Sequence, residues 1–165
     1  MHGHCCSTRV DARSHARFNL GRMSPVTLRF FTEEAERLLV AAREEPDLKT
    51  MAAMLTERGA LLRVLGRLEE ALTCLTGVLE NIMLLGETYW QRYLVYRVYG
   101  CDDLALKDLT AMLKCDQLVP YKLLRARANM HFASRKYEEA AADYHVRKLV
   151  DCALWSMQRC VLPET

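Results

Sequence analysis

The sequence predicts an all-α solenoid of antiparallel helix pairs, about three repeated units with flanking helices, and three observations predict it. Helix breakers are scarce: the 165 residues include 7 glycines and 4 prolines, while 51% are hydrophobic, which is neither a disordered nor a collagen-like composition. Apolar residues recur at helical spacing along the body of the chain. The pattern also repeats. Arg58, Arg92 and Arg127, and independently Ala71, Ala105 and Ala140, are separated by 34 and then 35 residues, a period that marks stacked two-helix units.

Residues 1–23 read as a disordered, basic leader. Residues 1–30 carry Arg9, Arg13, Arg17, Arg22 and Arg29 against one acid, Asp11, so this stretch holds +4 and residues 31–165 hold −2 of the net +2. Arg9, Arg13 and Arg17 would line one face of a helix. An Arg-rich, acid-poor leader is also the composition of a mitochondrial presequence, but its apolar face is thin, so a cytoplasmic protein is expected, with mitochondrial import as the minor alternative. The 7 cysteines are odd in number and contain no CxxC, which suits a reducing compartment. Cys74 and Cys115 fall inside apolar helical patterns, where a thiol acts as a small hydrophobe. His2, His4, Cys5 and Cys6 are soft ligands side by side, whereas a tetrahedral site draws ligands from two separated segments. No metal and no cofactor is expected.

Residues 24–46 read as a partial repeat or capping helix, with Thr32 as the expected N-cap and Pro46 ending it. Residues 47–152 form the repeat domain, in units of about 52–85, 86–120 and 121–152. In the first unit Met54, Leu55, Leu61, Leu62 and Leu65 are apolar at helical spacing, and Gly66 stops the helix. Glu69 and Glu70 open the second helix, where Ala71, Leu72, Leu75, Val78 and Leu79 form a wide apolar stripe. In the second unit Gly100 punctuates, Asp102 or Asp103 caps, and Leu106, Leu109, Met112 and Leu113 form the stripe. In the third the turn falls at 134–136 and lacks glycine. Residues 153–165 read as a C-terminal helix and tail, apolar at Leu154, Trp155, Met157, Val161 and Leu162.

This arrangement resembles the tetratricopeptide repeat family, whose pattern is W-x2-L-G-x2-Y…A-x3-F…P. The first unit reads Leu55-x2-Arg58-Gly59-x2-Leu62…Ala71-x3-Leu75. The second reads Tyr89-x2-Arg92-Tyr93-x2-Tyr96…Ala105-x3-Leu109, and the third Leu124-x2-Arg127-Ala128-x2-His131…Ala140-x3-Tyr144. Gly59 and Ala128 would let the two helices of a unit approach. Tyr93 departs from that rule, and Met83, Gln117 and Cys152 stand near the place of the closing proline. The resemblance covers about residues 50–152. It implies a right-handed superhelix whose concave groove, lined by the first helices, binds an extended peptide or a partner helix.

The groove positions implied by the resemblance fall on Thr56, Ala60 and Arg63, then Glu87, Trp90, Leu94 and Arg97, then Lys122, Arg125, Asn129 and Phe132. The candidate peptide-binding residues are Arg63, Trp90, Arg97, Lys122, Arg125, Asn129 and Phe132. Four cations against Glu87 leave +3 beside two large aromatics; aromatic and arginine side chains dominate binding hot spots, and arginine grips carboxylates. The clamp that some family members use for chaperone tails is not reproduced. Thr56 stands where lysine is needed, Ala60 and Gln91 where asparagine is, and Ala126 where arginine is; only Lys122 matches.

No catalytic constellation is present: there is no GxGxxG, Walker loop, HExxH or GxSxG. His131 and His145 have no nucleophile or acid placed beside them by spacing. Glu69-Glu70 and Glu138-Glu139 point to different helix faces and read as first-turn acids. The net acidic body argues against a base-reading RNA repeat, and no apolar run is long enough to span a membrane. The sequence therefore predicts a non-enzymatic interaction module that binds other proteins or peptides, with an acidic segment of the partner in the groove. The alternative is a structural piece of a longer array that self-associates through apolar helical ends.

Overall fold

A computed structural model describes residues 23–81, 85–115 and 121–146, which are helices joined by short turns. They fall into two compact units divided after Cys115. The His2/His4/Cys5/Cys6 cluster, the arginines of the leader up to Arg22 and the helix expected over 153–165 lie outside the described residues.

The first unit opens with α1 (Pro25–Glu44). Its start corrects the expectation at Thr32: Ser24 is the N-cap, and its hydroxyl accepts from the Thr27 amide at 3.1 Å. Pro25 follows at the first helical position, where the missing N–H removes no hydrogen bond. Thr32 lies inside the helix and donates to the Leu28 carbonyl at 2.8 Å. Pro46 follows the end of α1, and Asp47 then caps α2 (Leu48–Val64), accepting from the Thr50 amide at 2.8 Å and its hydroxyl at 2.6 Å.

Three further helices complete this unit: α3 (Leu68–Asn81), α4 (Gly86–Tyr99) and α5 (Asp102–Cys115). Each packs on the next, and α2 also touches α4, the neighbour-on-neighbour arrangement of a repeat protein. The α2–α3 and α4–α5 turns close identically. Gly66 and Gly100 take left-handed backbone at φ 75° and 69°. The Gly66 amide donates to the Arg63 carbonyl and the Arg67 amide to that of Leu62, as the Gly100 and Cys101 amides do to Arg97 and Tyr96. This pairing satisfies carbonyls that a helix end leaves open. Neither Asp102 nor Asp103 is a cap; both lie within the first turn of α5, where an acid meets the positive end of the dipole.

The core of this unit joins Leu62 of α2, Leu68, Ala71 and Leu75 of α3 and Val95 of α4. Gly59 permits the α2–α3 contact: a Cβ there would sit 2.5 Å from Leu75 Cδ2. Arg92 ties three helices together. Its guanidinium donates to both carboxylate oxygens of Asp108 on α5 at 2.9 and 2.7 Å and to Thr76 of α3 at 3.3 Å, between the rings of Tyr89 and Tyr96.

The second unit holds α6 (Tyr121–Ala133) and α7, residues 137–146. Arg127 repeats the role of Arg92: its Nε donates to Asp143 Oδ2 at 2.8 Å and its Nη2 to the other oxygen. The turn copies the other two although it has no glycine. Arg135 takes φ 60°, its amide donates to the Phe132 carbonyl, and the Lys136 amide donates to that of His131.

Candidate functional site

The candidate residues of the first unit lie on α2 and α4. Contact between these helices is polar at two levels. Thr56 and Thr88 are buried and share a 2.7 Å hydroxyl–hydroxyl bond. Thr56 is thus part of the helix contact rather than of an open groove, a correction to its expected position. Two turns further on, Arg63 Nε donates to Gln91 Oε1 at 3.3 Å, and Gln91 Nε2 donates to Glu87 Oε1 at 2.7 Å. Burial pushes the Arg63 guanidinium below the ordinary arginine range, although an arginine so displaced keeps its charge. Trp90 is partly buried and lies 5.1 Å from the ring of buried Tyr93. Arg97 is exposed and paired with Asp102 at 3.0 Å.

In the second unit Lys122, Arg125, Asn129 and Phe132 are all exposed. Their spacing places them on one face of α6. Asn129 Oδ1 accepts from the Tyr144 hydroxyl at 2.6 Å, which fixes the amide orientation and leaves its N–H groups as donors. Phe132 and Tyr137 meet edge to face with centroids 5.5 Å apart, and they remain 61% and 57% exposed. Among the described residues neither Lys122 nor Arg125 enters an ion pair. The structure therefore brings Arg63 to Gln91, Trp90 to Tyr93, Arg97 to Asp102, Asn129 to Tyr144 and Phe132 to Tyr137.

The acids that hold the repeated arginines were not anticipated from the pattern. Their signal was nonetheless present: Asp108 and Asp143 each stand 16 residues after their arginine. The same offset from Arg58 reaches Cys74. Arg58 Nε is buried without a hydrogen-bond partner, and the Cys74 thiol donates to the Leu55 carbonyl at 3.2 Å. Burial raises the Cys74 pKa, partly offset by the Arg58 guanidinium. Among the described residues no group of three His, Cys, Asp or Glu side chains could hold a metal ion, and no helix is long and apolar enough to cross a membrane.

The architecture defines a class: an all-α solenoid of antiparallel helix pairs that repeat one set of turns and one buried arginine. More particularly it is the tetratricopeptide-repeat fold. The structure matches the crystal structure of a tetratricopeptide repeat protein from Parabacteroides merdae ATCC 43184 with a TM-score of 0.63 and 23% sequence identity, over 82% of this chain and 51% of that one. The chain spans about half the length of that protein. No protein-family model and no curated protein matches the chain.

Proposed function

We propose that this protein is a non-enzymatic interaction module that binds an acidic, partly apolar segment of another protein along the first helices of its repeat pairs. The observation that carries the reading is the run of cations and aromatics on those helices. Arg63, Trp90 and Arg97 supply it in the first unit, and Lys122, Arg125 and Phe132 in the second. Arginine binds carboxylates through paired, charge-assisted hydrogen bonds, and aromatic anchors supply most of the burial in such contacts. A cytoplasmic setting belongs to the same reading, since it keeps thiols such as Cys74 and Cys115 reduced.

The test is direct binding of acidic peptides to the full chain and to Arg97→Glu/Arg125→Glu. The variant should bind at least about tenfold more weakly, a difference of about 1.4 kcal/mol. Equal affinity for both proteins would refute the reading.

One observation favours the second reading, a piece of a longer array that self-associates through apolar helical ends. Val26, Phe30 and Val40 of α1 are 78%, 60% and 55% exposed, more apolar surface than one solvated helix face usually presents. Light scattering behind size exclusion distinguishes the two. A monomer at all concentrations supports the binding module, and concentration-dependent oligomers broken by Phe30→Glu support assembly.

A further inference from the structure

We infer that the anchoring site is the exposed stripe of α6 and that its ligand is an extended segment with an acidic residue three positions from an aromatic one. The inference rests on the interaction reading above and narrows it to one surface and one ligand spacing.

Availability of charge picks the surface. In the first unit the candidate cations Arg63 and Arg97, and Arg92 between them in sequence, are already engaged: Arg92 with Asp108, Arg97 with Asp102, and Arg63 with Gln91. A ligand carboxylate there has to displace an internal partner. Lys122 and Arg125 have no such partner among the described residues and stand in water. A carboxylate meeting them adds a charge-assisted contact without breaking one.

The same face carries two further groups in register. Asn129 stands one turn beyond Arg125, and its oxygen is occupied by Tyr144. Its two N–H groups remain to be offered, and they suit a backbone carbonyl. Phe132 follows another turn on, and with Tyr137 it forms a two-ring shelf built from two exposed residues. A third aromatic ring edge to face with such a pair is a favourable contact.

Spacing then selects the ligand. From Arg125 to Phe132 the helix advances about 10 Å at roughly 1.5 Å per residue. A peptide in the extended polyproline-II form advances roughly 3.1 Å per residue and returns a side chain to the same face every third residue. The carboxylate and the ring therefore belong three residues apart, with a carbonyl between them opposite Asn129. The charge of the stripe makes the ligand acidic.

The experiment measures anisotropy of labelled twelve-residue peptides with the full chain. Each has a neutral background with one aspartate and one phenylalanine, placed three or six positions apart, and control peptides lack either residue. The three-spaced peptide should bind at least about tenfold more tightly than the others and weaken as salt rises. Arg125→Glu and Phe132→Ala should each lose that advantage. Tyr144→Phe, which frees the asparagine oxygen, should lose part of it with an unchanged circular dichroism spectrum. Equal binding of both spacings, or full binding by Arg125→Glu and Phe132→Ala, overturns the inference. If an acidic peptide binds and is lost only with Arg63→Glu or Arg97→Glu, the interaction reading stands and this site falls. If no acidic peptide binds, both fall. A uridine twelve-mer that binds the stripe more tightly than the three-spaced peptide also overturns it.

Discussion

Arg92 and Asp108 are side chains exposed by only 15% and 5%, joined by two hydrogen bonds and backed by two tyrosine rings. Removing one member of such a pair leaves the other charge buried without a partner. Asp108→Asn should therefore cost about 3 kcal/mol in urea unfolding, and Asp143→Asn should act in the same direction in the second unit. The counterpart position, Cys74, lacks the acid, and Arg58 Nε has no acceptor. Cys74→Asp should raise the unfolding free energy, by about 1 kcal/mol once the cost of burying the carboxylate is subtracted; a drop would mean that the slot is too dry for a charge. Gly59 reverses the usual preference of helices for alanine. Gly59→Ala gains about 1 kcal/mol in helix propensity, but its methyl would meet Leu75 at 2.5 Å. Net destabilisation of about 1–2 kcal/mol is expected, because overpacking a core typically costs 1–3 kcal/mol. The close approach at Gly59 was legible from its place in the repeat. The ion pairs were legible only as an unexplained arginine, since the acid lies 16 residues away on the other helix.

Among the helices, the ends were read with unequal success. Gly66 and Gly100 announced two turns, because left-handed backbone favours glycine. The third turn takes the same shape at Arg135, with φ 60°, where an L side chain costs about 1–2 kcal/mol. Arg135→Gly should relieve most of that strain, offset by the larger entropy of glycine in the unfolded chain; a gain of about 0.5 kcal/mol in thermal unfolding is the expected result. The start of α1 lies ahead of the cap expected at Thr32, because Thr32 is a plausible cap in isolation whereas Ser24-Pro25 supplies both the cap and the first helical residue. Ser24→Ala should cost about 1 kcal/mol. At α2 the two hydrogen bonds from Thr50 hold the Asp47 carboxyl below the usual aspartate range. A lowered pKa means that the cap is fully formed above the ordinary value and is lost as pH falls through the folded one. Stability of the wild type should therefore decline more steeply than that of Asp47→Asn below about pH 4, as read by circular dichroism.

For the molecule as a whole, neighbour-to-neighbour packing distributes stability unevenly. Helices α2, α3 and α4 each pack against at least two neighbours in the first unit and carry Leu62, Leu75, Val78 and Val95, which are fully buried. Their amides should exchange most slowly in hydrogen-exchange mass spectrometry, and those of α1 and α7 fastest, since opening free energy follows burial. A uniform exchange rate across the helices would contradict a repeat architecture. The repeat order, the all-α class and two of the three glycine-like turns can be derived from the residues alone, because helical periodicity and helix stops are local rules applied three times over. The state of each candidate side chain is not derivable in that way. Thr56 is buried against Thr88, Arg63 is engaged by Gln91, Arg97 by Asp102, and Lys122 and Arg125 are exposed with no ion pair among the described residues. Those outcomes depend on which helices touch and at what register. A short-range interaction between residues distant in the chain is set by packing, and no pattern of neighbours along the sequence encodes it.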